Sequence, residues 1–135
     1  MPETLPDSVR ALLRDHIESY EQLELLLLLR GRPGGIWTLR EIAQRMQLPD
    51  EELEEALRGL RAAGCLGERI QGDDAIRYAP RDAGQAVAIE GLAAAYGEKP
   101  LAIIKLMSAN AIERVRTAAI NTFADAFVVG GKKDG

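Results

Sequence analysis

The chain has one cysteine, one tryptophan, two phenylalanines and one histidine in 135 residues. A lone cysteine excludes an internal disulfide and fits a reducing cytoplasm. With His16 and Cys65 as the only residues of their kinds, no zinc set of Cys and His ligands can be assembled. Aromatic residues make up only 4% of the chain. The core is therefore expected to be Leu, Ile, Val and Ala, and few rings are left to stack on bases. No stretch approaches the roughly 20 apolar residues that a membrane span needs. The segment Met1 to Thr4 lacks the basic, then apolar, layout of a signal peptide. The glycine-rich Gly31-Arg32-Pro33-Gly34-Gly35 matches neither the dinucleotide fingerprint nor the P-loop, and reads as a connector. There is no Ser-His-Asp set, and Asp73-Asp74 is an ordinary turn pair. The expectation is a cytoplasmic protein without catalytic residues, metal, cofactor or membrane.

What is present is a normal apolar fraction of 47% and a net charge of −4. That is enough for one domain with a real core. The charge is unevenly spread. Residues 1–35 carry six acids against four bases, residues 36–80 nine against six, and residues 81–135 six against seven. The middle third is the most acidic.

That middle third, residues 36–79, organises the chain. Trp37 ends a short extended lead-in, and Thr38 with Glu41 makes a T-x-x-E capping box. Leu39, Ile42, Ala43 and Met46 follow at helical spacing, until Gln47-Leu48-Pro49 stops the helix. Asp50 is the expected cap of a second helix with Leu53, Ala56, Leu57 and Leu60 on its apolar face, ended by Gly64. Cys65–Ile70 and Ala75–Ala79 read as strands around a Gly72-Asp73-Asp74 turn. Helix, turn, helix, then hairpin resembles the winged helix-turn-helix of small bacterial regulators. The resemblance covers this third alone and implies a mainly α fold that binds duplex DNA. Proteins of that kind lay the second helix in the major groove and the wing on the flanking backbone.

The flanks read as helices. Residues 8–30 predict one long helix with a stripe of Val9, Leu13, Ile17, Tyr20, Leu23 and Leu27, ending in leucine at every position from Leu25 to Leu29. A helix apolar on all sides must be covered on all sides. Residues 82–128 predict further helices. The first has Ala86, Ile89, Leu92, Ala93 and Tyr96 on one face, after an Asp82–Gln85 box. A break is expected near Ser108 to Asn110, and residues 130–135 read as a disordered tail. The leucine run and the Ile112–Phe127 face supply more apolar surface than one small module can cover. This predicts a homodimer joined through Leu25, Leu26, Leu28, Leu29, Ile112, Phe123 and Phe127.

Steps of 100° place Glu51, Glu55 and Arg58 outward on the second helix, with Arg61 beside them. Together with Arg40 and Arg45 of the preceding helix, and Arg69 and Arg77 of the wing, they are the residues expected to meet DNA or a partner. At about 7 Å and an effective dielectric near 20, each carboxylate–phosphate pair repels by roughly 2 kcal/mol before screening. First-turn carboxylates also have a purely structural use, since each stabilises the helix dipole by about 0.3–1 kcal/mol. Two functions follow. The leading one is a dimeric, DNA-binding transcriptional regulator. The alternative is an adaptor that keeps the fold and offers an acidic face to a basic protein partner.

Overall fold

The computed structural model describes residues 5–32, 34–68 and 75–134, the side chains of Glu68 and of residues 126–134 excepted. Among these residues it is mainly helical. Six helices surround a small antiparallel sheet: α1 (Asp7–Asp15), α2 (Tyr20–Arg30), β1 (Trp37–Thr38), α3 (Leu39–Met46), α4 (Asp50–Ala63), β2 (Leu66–Glu68), β3 (Ala75–Tyr78), α5 (Ala83–Glu98) and α6 (Pro100–Asp134).

The expected single helix over 8–30 is two helices. Ser19 starts the second one: its hydroxyl accepts from the Gln22 backbone at 3.1 Å, and Gln22 Oε1 accepts from the Ser19 and Glu18 backbones at 3.1 and 2.6 Å. This S-x-x-Q box satisfies donors that a continuous helix would have used internally. It turns the chain, so that α1 packs on α5 and α6 while α2 packs chiefly on α4.

The central stretch forms as its spacing dictates. Thr38 and Glu41 close their box at 3.1 and 3.3 Å. Gln47 leaves α3 in the left-handed region at φ 55°. Pro49, and not Asp50, holds the N-cap position of α4, and its carbonyl accepts from Leu53 at 3.0 Å. Asp50 is thus the first helical residue, where its charge favours the helix dipole without a capping bond. Gly64 at φ 80° ends α4 and lets Cys65 N–H return to the Leu60 carbonyl. The sheet order is β1-β3-β2, with Trp37 opposite Ile76 and Leu66 opposite Tyr78. Cys65 and Ala79 fall outside the strands, and Arg69, Ile70 and the Gly72–Asp74 turn lie outside the described residues.

Pro100 opens the last helix as expected, and one residue, Lys99, separates it from α5. No break falls at Ser108 to Asn110, and residues 130–134 continue the helix. Ser and Asn each cost a helix interior only a few tenths of a kcal/mol and Gly about 1. Propagation through the Ala- and Ile-rich run outweighs those penalties. The 35 residues of α6 span about 50 Å.

One continuous core gathers Val9 and Leu13 of α1, Leu23, Leu25, Leu26 and Leu29 of α2, Ile42, Leu57 and Leu60, Ile89 and Leu92, and Ile103. Trp37 and Tyr78 help to close it beneath the sheet. Cys65 is fully buried, and that burial pushes its thiol up to about 11, against the opposing pull of Arg81. No helix among the described residues is long and apolar enough to cross a membrane.

Candidate functional site

The outward face of α4 is densely charged. Leu53, Ala56, Leu57, Leu60 and Ala63 turn inward, leaving Asp50, Glu51, Glu52, Glu54, Glu55, Arg58 and Arg61 exposed. The acids fill the first two turns and the arginines the last two. The expected orientation of Glu51, Glu55, Arg58 and Arg61 is therefore the one found.

On one side α4 meets the start of α2 across an open cleft of about 390 Å³, lined by Glu18, Ser19, Glu21, Gln22, Glu52, Glu55 and Ala56. The close approach of the two helices depends on Gly59. A Cβ there would come within 1.4 Å of Gln22 Nε2. Gln22 cannot swing away freely, because its carbonyl oxygen is committed to the Ser19 cap. A capping box and a glycine thus bring four glutamates around one cleft: Glu18 from the turn before α2, Glu21 from α2, and Glu52 and Glu55 from α4. Glu18 and Glu21 were not expected here. The signal for them was Ser19 to Gln22, whose S-x-x-Q spacing is hidden inside a longer helical pattern.

On the other side, α3 and α4 enclose a second open groove of about 380 Å³, lined by Leu39, Arg40, Ala43, Gln44, Asp50, Leu53 and Glu54. Arg40 is the cation of this groove and faces two carboxylates. The remaining basic residues are spread out. Arg45 is exposed on α3, with its guanidinium 5.7 Å from the centre of the Trp37 ring. Arg32, which the sequence did not single out, lies closer to that ring at 3.8 Å and also reaches Glu41 at 3.2 Å. Its work is to tie the connector to α3. Arg77 is exposed on β3.

The expected dimer residues separate into two groups. Leu25, Leu26 and Leu29 are fully buried in this chain's own core and Leu28 is partly buried, so the leucine run is not a surface for a second copy. The cover comes from α4 and β3 packed against α2. Ile112 and Phe123 are 60% and 71% exposed. The Phe127 side chain lies outside the described residues.

His16 is half-buried at the end of α1, in a groove shared with Asp15, Arg81 and Gln85. Gln85 is buried and committed: it accepts from the Arg81 backbone at 2.6 Å and donates to the Ala63 carbonyl at 2.8 Å, linking α5 to the end of α4. Among the described residues, no group of three or more His, Cys, Asp and Glu is placed to hold a metal ion. No family model, curated protein or solved structure matches this chain.

Proposed function

We propose that the chain is a winged helix-turn-helix module of the cytoplasm, without catalysis of its own, that captures a basic segment of a protein partner on the acidic face of α4. The order α2, β1, α3, α4, β2, β3 with sheet order β1-β3-β2 supports the winged-helix part of this reading. The observation that carries the function is the cleft in which Glu18, just before α2, and Glu21 of α2 meet Glu52 and Glu55 of α4. These acids surround the half of α4 that would have to enter a major groove. A duplex docking there brings phosphates towards at least four carboxylates, each repelling before screening. A lysine- or arginine-rich peptide meets the same field with the favourable sign, which raises its encounter rate and selects against acidic competitors.

The exposed arginines on α3, α4 and β3 support a second reading, the DNA-binding regulator. Arg40, Arg45, Arg58, Arg61 and Arg77 would then hold phosphates while Glu51 or Glu55 accepts from a cytosine. In both readings the protein works as a homodimer.

Binding of a lysine- and arginine-rich peptide and of mixed-sequence duplex DNA, each at about 50 mM salt, separates them. The acidic-face reading expects peptide binding that falls steeply with salt and drops severalfold in the Glu52→Gln, Glu55→Gln variant. Duplex binding by the native chain, with the peptide ignored, overturns it.

A further inference from the structure

We infer that Arg114 is a positioning residue for the acidic cleft: from α6 it fixes the peptide unit after Glu18 and so holds the Glu18 carboxylate beside α4. The inference rests on the acidic-face reading and concerns a residue outside the cleft itself.

Glu18 stands one place before the N-cap of α2. The Ser19 carbonyl already accepts the first bond of that helix, from Leu23 at 3.1 Å. The Glu18 carbonyl therefore lies outside the helical ladder and needs a partner from elsewhere. Arg114, 96 residues along the chain, supplies it: its Nη2 donates to that carbonyl at 3.3 Å. The N–H of the same peptide unit, that of Ser19, donates to Gln22 Oε1 at 3.1 Å, and the Glu18 N–H donates to that oxygen at 2.6 Å. One end of the unit is thus tied to α2 and the other to α6. With its N–H and its carbonyl both held, Glu18 keeps one backbone setting, from which its side chain lines the cleft with Glu52 and Glu55.

The place of Arg114 on α6 explains its reach. Steps of 100° put Ile103, Met107, Asn110 and Arg114 within an arc of about 60°. Ile103 and Met107 are buried, and the same seam turns polar at Asn110 and Arg114. A leucine at 114 could continue the apolar seam. The arginine does so at a cost, because its Nη1 is buried with no hydrogen-bond partner among the described residues. Packing alone does not account for a guanidinium here, and the bond to the turn does. Charge makes the role testable by its sign. Arg114 is a cation near a cleft that takes cations on this reading, so by charge alone it opposes the basic segment. As a positioning group it favours that segment. Its removal strengthens binding on the first account and weakens it on the second.

Affinity for a lysine- and arginine-rich peptide at low salt, read by fluorescence anisotropy, decides between them. Arg114→Leu should weaken binding about two- to tenfold, the equivalent of one ordinary hydrogen bond. Arg114→Lys, which keeps the charge and a donor, should bind more tightly than Arg114→Leu. In a Glu18→Ala background, Arg114→Leu should no longer weaken binding, because the carboxylate it positions is gone. Arg116→Leu removes the same charge from the far, exposed face of α6 and should not weaken binding either. A native chain that ignores the peptide ends the acidic-face reading and this inference with it. Native binding that Arg114→Leu leaves unchanged or strengthens, or a loss as large without the Glu18 carboxylate as with it, overturns the positioning role alone.

Discussion

Two helices of this molecule are rich in apolar residues on every side, and they meet opposite fates. Helix α2 carries five successive leucines, of which Leu25, Leu26 and Leu29 are fully buried and Leu27 and Leu28 partly buried. Helix α6 carries Ile112, Val115, Ile120 and Phe123 and leaves all four more than half exposed. Composition does not separate them; neighbours do. Helix α2 lies between α4 and β3, and its outer edge is tied to α5 by Arg30 with Glu90 at 2.6 Å and by Tyr96 with Glu24 at 3.0 Å. Among the described residues, helix α6 packs chiefly on α5 and α1, and the side chains from Val115 to Asp125 are exposed. An all-apolar helix must be covered, but the sequence alone does not say whether the cover comes from the same chain or from another.

The largest effect expected from this contrast is on stability. Leu26→Ala removes a fully buried side chain and should cost about 2–5 kcal/mol in urea unfolding. Val115→Ala, measured under dilute conditions where the chain is a monomer, should cost within about 0.5 kcal/mol. Comparable losses at both sites would erase the distinction.

The α2–α4 contact gives the next largest. Gly59→Ala drives a Cβ into Gln22, which must give up its capping bonds or push the helices apart. The expected loss is about 1–3 kcal/mol. Adding Gln22→Ala should then cost less than it does in the native background, because the two changes act on one contact. Strict additivity of the two losses would contradict the packing described.

The smallest effect is at the outer edge of α2. The Arg30 guanidinium, by its hydrogen bonds, holds the Glu90 carboxyl below its ordinary value of 4.5. The pair therefore contributes in full above that value, and the contribution fades as pH falls through the lower folded value. Both groups are partly exposed, so solvent screening limits the effect to roughly 0.2–1 kcal/mol. Glu90→Gln should lower stability near neutral pH and leave it nearly unchanged at pH 3. A larger difference at pH 3 than at pH 7 would have the wrong sign.

Much of this arrangement was legible in residue spacing. The Thr38–Glu41 box, the break at Gln47 to Pro49, the Gly64 stop and the inward set of α4 are local, and each stands where the pattern put it. The errors share one cause. Ser19 and Gln22 sit within a run of helical periodicity, which predicts helix interior where the structure has a cap. Ser108 and Asn110 sit within another, and their weak helix preference predicts a break where the structure has helix interior. In both places weak local preferences compete, and tertiary packing or helix propagation decides between them. The placement of the leucine run depended on the first error. A continuous 8–30 helix has a free side, whereas a separate α2 turns into the core. Glu18 and Glu21 join the site for the same reason, since the turn at Ser19 sets them beside α4.

The contrast between the two helices is tested most directly by hydrogen exchange followed across protein concentration. Helix α2 is covered by its own chain, so its amides should be strongly protected and independent of concentration. Amides from Val115 onward should exchange rapidly in dilute solution and become protected as concentration rises through the dimerisation range. Protection of that half of α6 that does not change with dilution, under conditions where light scattering gives a monomer, would contradict the account.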